Sequence, residues 1–308
     1  MNAALALLIA VALDLAFGEP PNAIHPVAWM GSAIAWGRDW ALRPPRIGQF
    51  VRGALVALAL PVACAALAFW AAHLISRWTL LSVLATALLL KPLFAIRALR
   101  DAAFLVRDAL AAGDVALART RLASLCSRNA GDLEPPALIA ATVESIAENA
   151  SDSILAPFLY FAIAGLPGAA FYRAGNTLDA MIGYHGRYEW VGKTAARLDD
   201  LLNLLPARLT SLIFLLVAPL SGGNVRRGVA ILFRDGGRTE SPNAGRPMAA
   251  MAGLLGIRLE KRGHYALGDA TRPIEAGDIT RAWRIVSGAA YAAAALTALG
   301  LIALTRFR

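Results

Sequence analysis

Glu144, Glu148 and Asp152 recur at four-residue spacing in the run ESIAENASD. On a helix that spacing keeps three carboxylates within roughly 80° of one another, on one face. Like charges so placed repel, so something cationic should stand opposite: a metal ion, arginines, or both. Two further groups follow. Asn176 and Asp179 are three residues apart in YRAGNTLDAMIGY, behind Arg173. In ARLDDLLNLLPARLT, Asp199 and Asn203 are four apart, and Arg197 and Asp200 three. Carboxylates and amides with few histidines suit a hard cation such as Mg²⁺, which binds oxygen and bridges to substrate phosphates. Arginines suit phosphate, through paired charge-assisted bonds. The chemistry expected is therefore that of a Mg²⁺–phosphate enzyme. Three classes fit the spacing: an ATP-driven ligase, an intramembrane prenyltransferase holding Mg²⁺-diphosphate, and, without catalysis, an ion-coupled transporter.

Other motifs contribute less. Lys193 lies in a GKT triplet, but the first glycine of a phosphate-binding loop would fall on Arg187, and no strand pattern precedes it. Lys193 remains a candidate phosphate contact. Asn149-Ala150-Ser151 fits a glycosylation acceptor by chance, on the acidic helix. Four scattered histidines (25, 73, 185 and 264) argue against a histidine metal centre, and Cys64 and Cys126 against a disulfide framework.

The elements that must position these groups are apolar. The 308 residues are 58% hydrophobic and 17% charged, with mean hydropathy +0.56. A soluble chain carries about 45–50% apolar and about 25% charged residues. The expected fold class is all-α: a polytopic helical integral membrane protein, one membrane-embedded domain, with broken or re-entrant helices around a polar site. Membrane helices are expected near 3–17, 53–76, 78–92, 153–172, 201–220 and 285–305. The clearest are Gly53–Ser76 and Ile285–Thr305, free of formal charge between arginines. The segment 153–172 is broken by Pro157 and Pro167-Gly168, which a membrane tolerates where helices line a cavity. Residues 93–128 place apolar groups at three- and four-residue spacing, with Arg97, Arg100, Arg107, Arg119, Arg121 and Arg128 on other faces, so two amphipathic surface helices are expected, breaking at Gly113-Asp114. Glu134-Pro135-Pro136 should open the acidic helix, and 221–283 should be a polar loop, with Arg246 near a site mouth.

The net charge is +9. In a membrane protein that reads as an orientation signal, and the arginine-rich segments favour the cytoplasmic side. No basic stripe with interleaved aromatics supports nucleic-acid binding. Residues 3–13 lack a basic flank and a small-residue cleavage site, so a retained helix is expected rather than a secretory signal.

Several runs occur in order: Asp14 with GEPPNAIHPVAWMG, ESIAENASD, GLPGAAFYRAGNTLDAMIGY, ARLDDLLNLLPARLT, and GRPMAAMAGLLGIRLEK. Together, from about residue 10 to 270, the chain resembles the adenosylcobinamide-phosphate synthase (cobinamide synthase) family of cobalamin biosynthesis. The resemblance implies an ATP- and Mg²⁺-dependent amide synthase. It would join (R)-1-aminopropan-2-ol O-phosphate, or aminopropanol, to the free propionate carboxylate of adenosylcobyric acid, activated as an acyl phosphate. It also implies a multi-pass protein of the plasma (inner) membrane, with its site facing the cytoplasm and other cobalamin-pathway enzymes as partners. The resemblance points to these same polar residues without giving their roles; from helical spacing and the absence of other ligand types, Glu148, Asp152 and Asp179 are expected to ligate Mg²⁺. Arg173, Lys193 and Arg197, with Asn203 and Arg246, are expected to bind phosphates. Glu144 or Asp199 is expected to take the proton of the attacking ammonium, with Asn149, Asn176 and Asp200 beside them, and Asp14, Glu19 and His25 stand behind these.

Overall fold

A computed structural model describes residues 2–126 and 129–306; Arg128 lies outside the described residues. The chain is helical almost throughout. In order come α1 (Asn2–Phe17), α2 (Pro26–Ala41), α3 (Arg46–Ile75), α4 (Thr79–Leu90), α5 (Arg97–Ala111), α6 (Val115–Leu122), α7 (Pro135–Ala150), α8 (Ala156–Ile182) and α9 (Lys193–Val217). Then follow α10 (Val225–Asp235), α11 (Gly245–Leu255), a hairpin of β1 (Leu259–Lys261) and β2 (Tyr265–Leu267), and α12 (Gly277–Arg306). Among the described residues, five helical stretches are long and apolar enough to cross a bilayer: Arg46–Ile75, Leu80–Ala111, Pro135–Ile182, Lys193–Ser221 and Gly277–Leu304. The protein is an all-α membrane protein, as its composition predicts. The apolar α1 has 16 residues, fewer than the about 20 that a hydrocarbon core requires.

Local chemistry explains the boundaries. Asp114 caps α6 by accepting from the Leu117 N–H at 2.9 Å, so the break at Gly113-Asp114 falls where expected. Pro135 opens α7 at its first position, where its missing N–H costs nothing. The α8 backbone leaves the helical region at Ala164 and at Gly165, where φ is 63°. Pro167 lacks an N–H and its ring crowds the carbonyl four residues back; glycine accepts the resulting positive φ without a Cβ penalty. A π-helical turn, Ser151–Leu155, follows α7. Asp152 stands on that turn, so it leaves the strict α-helical phase that Glu144 and Glu148 share. Residues 221–283 differ from the polar loop expected of them. They form α10, α11, the hairpin and the start of α12; the three arginines of α10 and the glycines and proline of α11 read as loop by composition. Asn224 caps α10 through the Arg227 N–H.

The contacts divide the chain into two compact units. The first takes in the chain up to Ala95, Ala156–Asn203 and α12 from Ala294; the second takes in Ile96–Leu155 and Leu204–Ala293. In the first, Ile34, Ala57, Leu178, Ile182, Val191 and Ala195 form a core. On α3 the buried residues are Gly53, Ala57 and Pro61, every fourth position, while Leu55, Leu58, Val62 and Leu67 are exposed. A stripe of small residues facing protein, with large apolar residues facing outward, suits a helix solvated by lipid. In the second unit, Val106 and Ala109 of α5, Ala118 and Leu122 of α6, and Leu138 and Ala141 of α7 pack together. That arrangement gives the amphipathic pattern of 93–128 its physical cause.

Gly53 is the tightest point of α3, since a Cβ there would lie 2.2 Å from the Val191 carbonyl oxygen. Gly53→Ala should therefore cost about 1–3 kcal/mol, the usual range for overpacking. The expected readout is a lower unfolding midpoint in detergent, with Gly48→Ala, which meets only the flexible Arg52 side chain, as the mild control.

Candidate active site

In the first unit, α8 and α9 bring together Tyr172, Asn176, Asp199 and Asn203. Asn176 Nδ2 donates to Asp199 Oδ1 at 3.1 Å, and Asn203 Nδ2 donates to Oδ2 at 3.0 Å. The buried Tyr172 hydroxyl donates to Asn203 Oδ1 at 2.8 Å. Tyr160 stacks on Tyr172, ring centroids 5.0 Å apart, and its hydroxyl donates to the Leu202 carbonyl. Asp199 thus has an amide on each oxygen, and among the described residues no lysine or arginine pairs with it. Asp200 lies beside it with Arg197 Nη1 at 3.4 Å. Arg197 is 78% exposed, and Lys193 is exposed with Nζ 5.8 Å from the Trp190 ring centroid. Asp179 is half-buried near the end of α8, where Gly183 packs so closely that a Cβ would overlap its carboxylate.

The same unit holds an ionic cluster. Lys91 is buried, with Nζ 3.4 Å from Oδ1 of the fully buried Asp14 and 2.9 Å from Glu19 Oε2. His25 Nδ1 accepts the Val27 N–H at 3.2 Å, capping α2. Its proton therefore sits on Nε2, which donates to Glu19 Oε2 at 2.9 Å. The sequence singles out Asp14, Glu19 and His25 but not Lys91. The signal was the lysine's place at the end of an uncharged helix, before proline. Arg173 joins Glu19, Asn22 and His25 in lining a cleft of about 330 Å³.

In the second unit, Glu144 is buried and accepts from the Tyr265 hydroxyl at 3.3 Å. Asn149 bonds within its own helix, donating to the Ser145 carbonyl and accepting from Ser153. Glu148 and Asp152 are half-buried. Arg246 is half-buried at the start of α11, and its Nε has no hydrogen-bond partner among the described residues. A basic cleft of about 540 Å³ is lined by Arg258, Lys261, Arg262 and Arg272 on an apolar floor that includes Leu133 and Pro136.

Two fully buried aspartates of this unit escaped sequence reasoning. Asp235 takes both Arg234 contacts at 2.8 Å, Arg238 Nη1 at 3.0 Å and the Gly268 N–H at 2.8 Å. Asp278 is held by Arg272, by Arg281 Nη1 at 2.8 Å and by the Glu275 N–H at 2.9 Å. Both fasten α10, the hairpin and the start of α12. The Arg234 hydrogen bonds hold the Asp235 carboxyl below the usual carboxylate range, against the opposing effect of burial.

Among the described residues no three His, Cys, Asp or Glu side chains gather as a ready-made metal cage. Mg²⁺ does not demand one, since it commonly uses one or two carboxylates plus phosphate and water. Glu148 and Asp152, half-buried on consecutive turns, are compatible with that.

Fold and site together define a polytopic helical membrane protein with a built polar site within apolar helices. The chain belongs to the CobD/Cbib protein family, whose model matches residues 7–286. It is 42% identical over 280 residues to a cobalamin biosynthesis protein CobD of Dehalococcoides mccartyi, covering 89% of each chain. It is 42% identical over 266 residues to a probable cobalamin biosynthesis protein CobD of Methanothermobacter thermautotrophicus, covering 85% of this chain and 86% of that one. With the CobD of Rhodobacter capsulatus the identity is 40% over 287 residues, covering 89% and 87%. No solved structure matches it.

Asp235 supplies a pH test. A group with a lowered folded-state pKa stabilises the fold above its ordinary value of about 3.9, and that contribution is lost as pH falls through the lower folded value. Asp235→Asn should cost about 1–3 kcal/mol at neutral pH, because a buried side chain loses its charge-assisted bonds to Arg234 and Arg238. Chemical unfolding across pH 2–7 should show the gap to wild type narrowing in acid.

Proposed function

We propose that this protein works in cobalamin biosynthesis as an ATP- and Mg²⁺-dependent amide synthase of the inner membrane, its site open to the cytoplasm. Its substrates are the free propionate carboxylate of adenosylcobyric acid and aminopropanol phosphate. The observation that carries this reading is the pairing of Asp199. Asp14, Asp235 and Asp278, all buried, are matched by lysine or arginine. Asp199 is held by two neutral amides, which fixes the carboxylate while leaving its charge for a cationic ligand.

An ammonium is such a ligand, and it must lose a proton before the nitrogen can attack. Asp199 is the base we assign to that step, since it is half-buried and rigidly held, whereas Glu144 is buried against Tyr265. The reaction balances simply. A carboxylate oxygen takes the γ-phosphoryl group and ADP leaves; the neutral amine then attacks the acyl carbon and phosphate leaves. Arg173, Lys193, Arg197 and Arg246 are the cations assigned to the phosphate groups, with Asn203 keeping Asp199 oriented. Glu148 and Asp152 would hold Mg²⁺, which neutralises phosphate charge, with Asp179 a further candidate ligand. Asp200 anchors Arg197.

The test is reconstitution of the purified protein with ATP, Mg²⁺, adenosylcobyric acid and aminopropanol phosphate, followed by detection of adenosylcobinamide phosphate and ADP. Asp199→Asn should lower kcat about 10²–10⁴-fold, the usual contribution of a positioned base, and flatten the pH–rate profile. Absence of amide product from active membrane preparations would sink the reading. Full Mg²⁺-dependent turnover by Asp152→Asn would remove that residue from the metal assignment.

A further inference from the structure

The basic cleft of about 540 Å³ lies wholly within the second unit, between the hairpin and the first turns of α7. None of its cations serves the proposed reaction. Leu259 of β1 is buried, and Lys261, two residues on, shares its face of the strand. The strand thereby turns Lys261 inward, half-buried, to line the cleft. Arg262 follows at the hairpin turn, exposed on the same rim. Other charges at the cleft are answered. Arg258 pairs with Glu260 at 3.0 Å, Arg272 pairs with the buried Asp278, and His264 Nδ1 is 3.5 Å from Glu240 Oε1. Lys261 and Arg262 have no ion-pair partner among the described residues, so two cations at one rim are left without a counter-charge.

Beneath these cations the lining is apolar, with Leu133, the Pro136 and Ala137 of α7, and Ile274. The cleft also stands at the polar end of a helix able to cross a bilayer. Asp278, in the first turn of α12, holds the Arg272 that lines it. Asp278, Arg281 and Arg284 precede the charge-free run that begins at Ile285. Lipid headgroups lie where charged residues give way to such a run. A basic pocket at that level favours the phosphate of an anionic lipid.

We propose that this cleft binds the headgroup of an anionic phospholipid, its phosphate diester at Lys261 and Arg262 and the start of an acyl chain along Leu133 and Pro136. A soluble phosphate ester offers the same charge but leaves the apolar lining in water, so the lining favours the lipid. Bound in this way, the lipid fastens the hairpin to the membrane surface beside α7. The site stands apart from the amide-synthase reading, since it uses none of the residues assigned to that reaction.

The experiment is native mass spectrometry of the full-length protein in detergent. The ligands are dioctanoyl phosphatidylglycerol, dioctanoyl phosphatidylcholine and glycerophosphoglycerol, the anionic headgroup without chains. Ligands are counted on the folded charge states, so a partly unfolded preparation does not alter the result. Wild type should bind phosphatidylglycerol at least tenfold more tightly than either of the others. Lys261→Gln combined with Arg262→Gln should cut the preference for phosphatidylglycerol over phosphatidylcholine at least fivefold and change phosphatidylcholine binding less than twofold. Arg77→Gln combined with Arg121→Gln removes the same charge from exposed positions elsewhere and should leave the preference within twofold. Where the Lys261 and Arg262 double variant does not fold, Ala137→Phe, which fills the apolar lining, should weaken phosphatidylglycerol and spare glycerophosphoglycerol. A preference unchanged in the Lys261 and Arg262 variant, or lost equally in both double variants, overturns the site; so does phosphatidylglycerol binding unchanged by Ala137→Phe. Glycerophosphoglycerol binding as tightly as the lipid overturns the proposal in favour of a soluble phosphate ester.

Discussion

Removing a carboxylate from water costs several kcal/mol unless opposite charge and hydrogen bonds replace the solvent. The arrangement of this protein follows from that cost. Its helices are apolar enough for lipid, yet Asp14, Asp235 and Asp278 are fully buried. Each is answered by a cation: Lys91 for the first, Arg234 and Arg238 for the second, Arg272 and Arg281 for the third. These aspartates act as fasteners, tying α1 to the turn after α4, and α10 and the hairpin into the second unit. Against that pattern, a carboxylate fixed by amides alone stands out as one whose charge the fold has left for something else.

The same cost governs the backbone. Inside a bilayer every N–H and C=O must find a partner within the protein, so departures from the α-helix are confined to places where structure demands them. The break at Ala164-Gly165 precedes a proline that cannot donate. The π-turn at Ser151–Leu155 carries Asp152, and such turns cluster at functional positions. Of these two irregularities, the π-turn carries the polar Asp152, and the break belongs to glycine and proline in an apolar stretch.

Much of this was legible in the sequence, and what was not has one physical cause. Helical period and length read directly, as in Gly53–Ser76, the break at Gly113-Asp114 and the opening at Pro135, because they depend on residues within a few positions. The four-residue spacing of Asp199 and Asn203 correctly implied a shared face, and Asn203 does bond Asp199. Lys91 was opaque because its partners, Asp14 and Glu19, lie more than seventy positions earlier. Asp235 was opaque because its meaning comes from the Gly268 N–H, and from an Arg234 that also grips Asp269. Residues 221–283 misled for a related reason: the arginines of α10 find their partners at distant positions, Thr271 and Asp269, which composition cannot see.

The direction of the hydrogen bonds around Asp199 adds a last constraint. Asn203 could in principle present either its oxygen or its nitrogen to the carboxylate. The Tyr172 hydroxyl donates to Asn203 Oδ1, so the amide nitrogen must face Asp199, where it donates. Tyr172 is in turn pinned by stacking on Tyr160, whose own hydroxyl is committed to the Leu202 carbonyl. The aromatic pair thereby sets the sense of the path from Tyr172 through Asn203 to Asp199, each donor on it pointing toward the carboxylate. A reversed amide would set oxygen against oxygen, so the fold admits one orientation of the amide and of the carboxylate it holds.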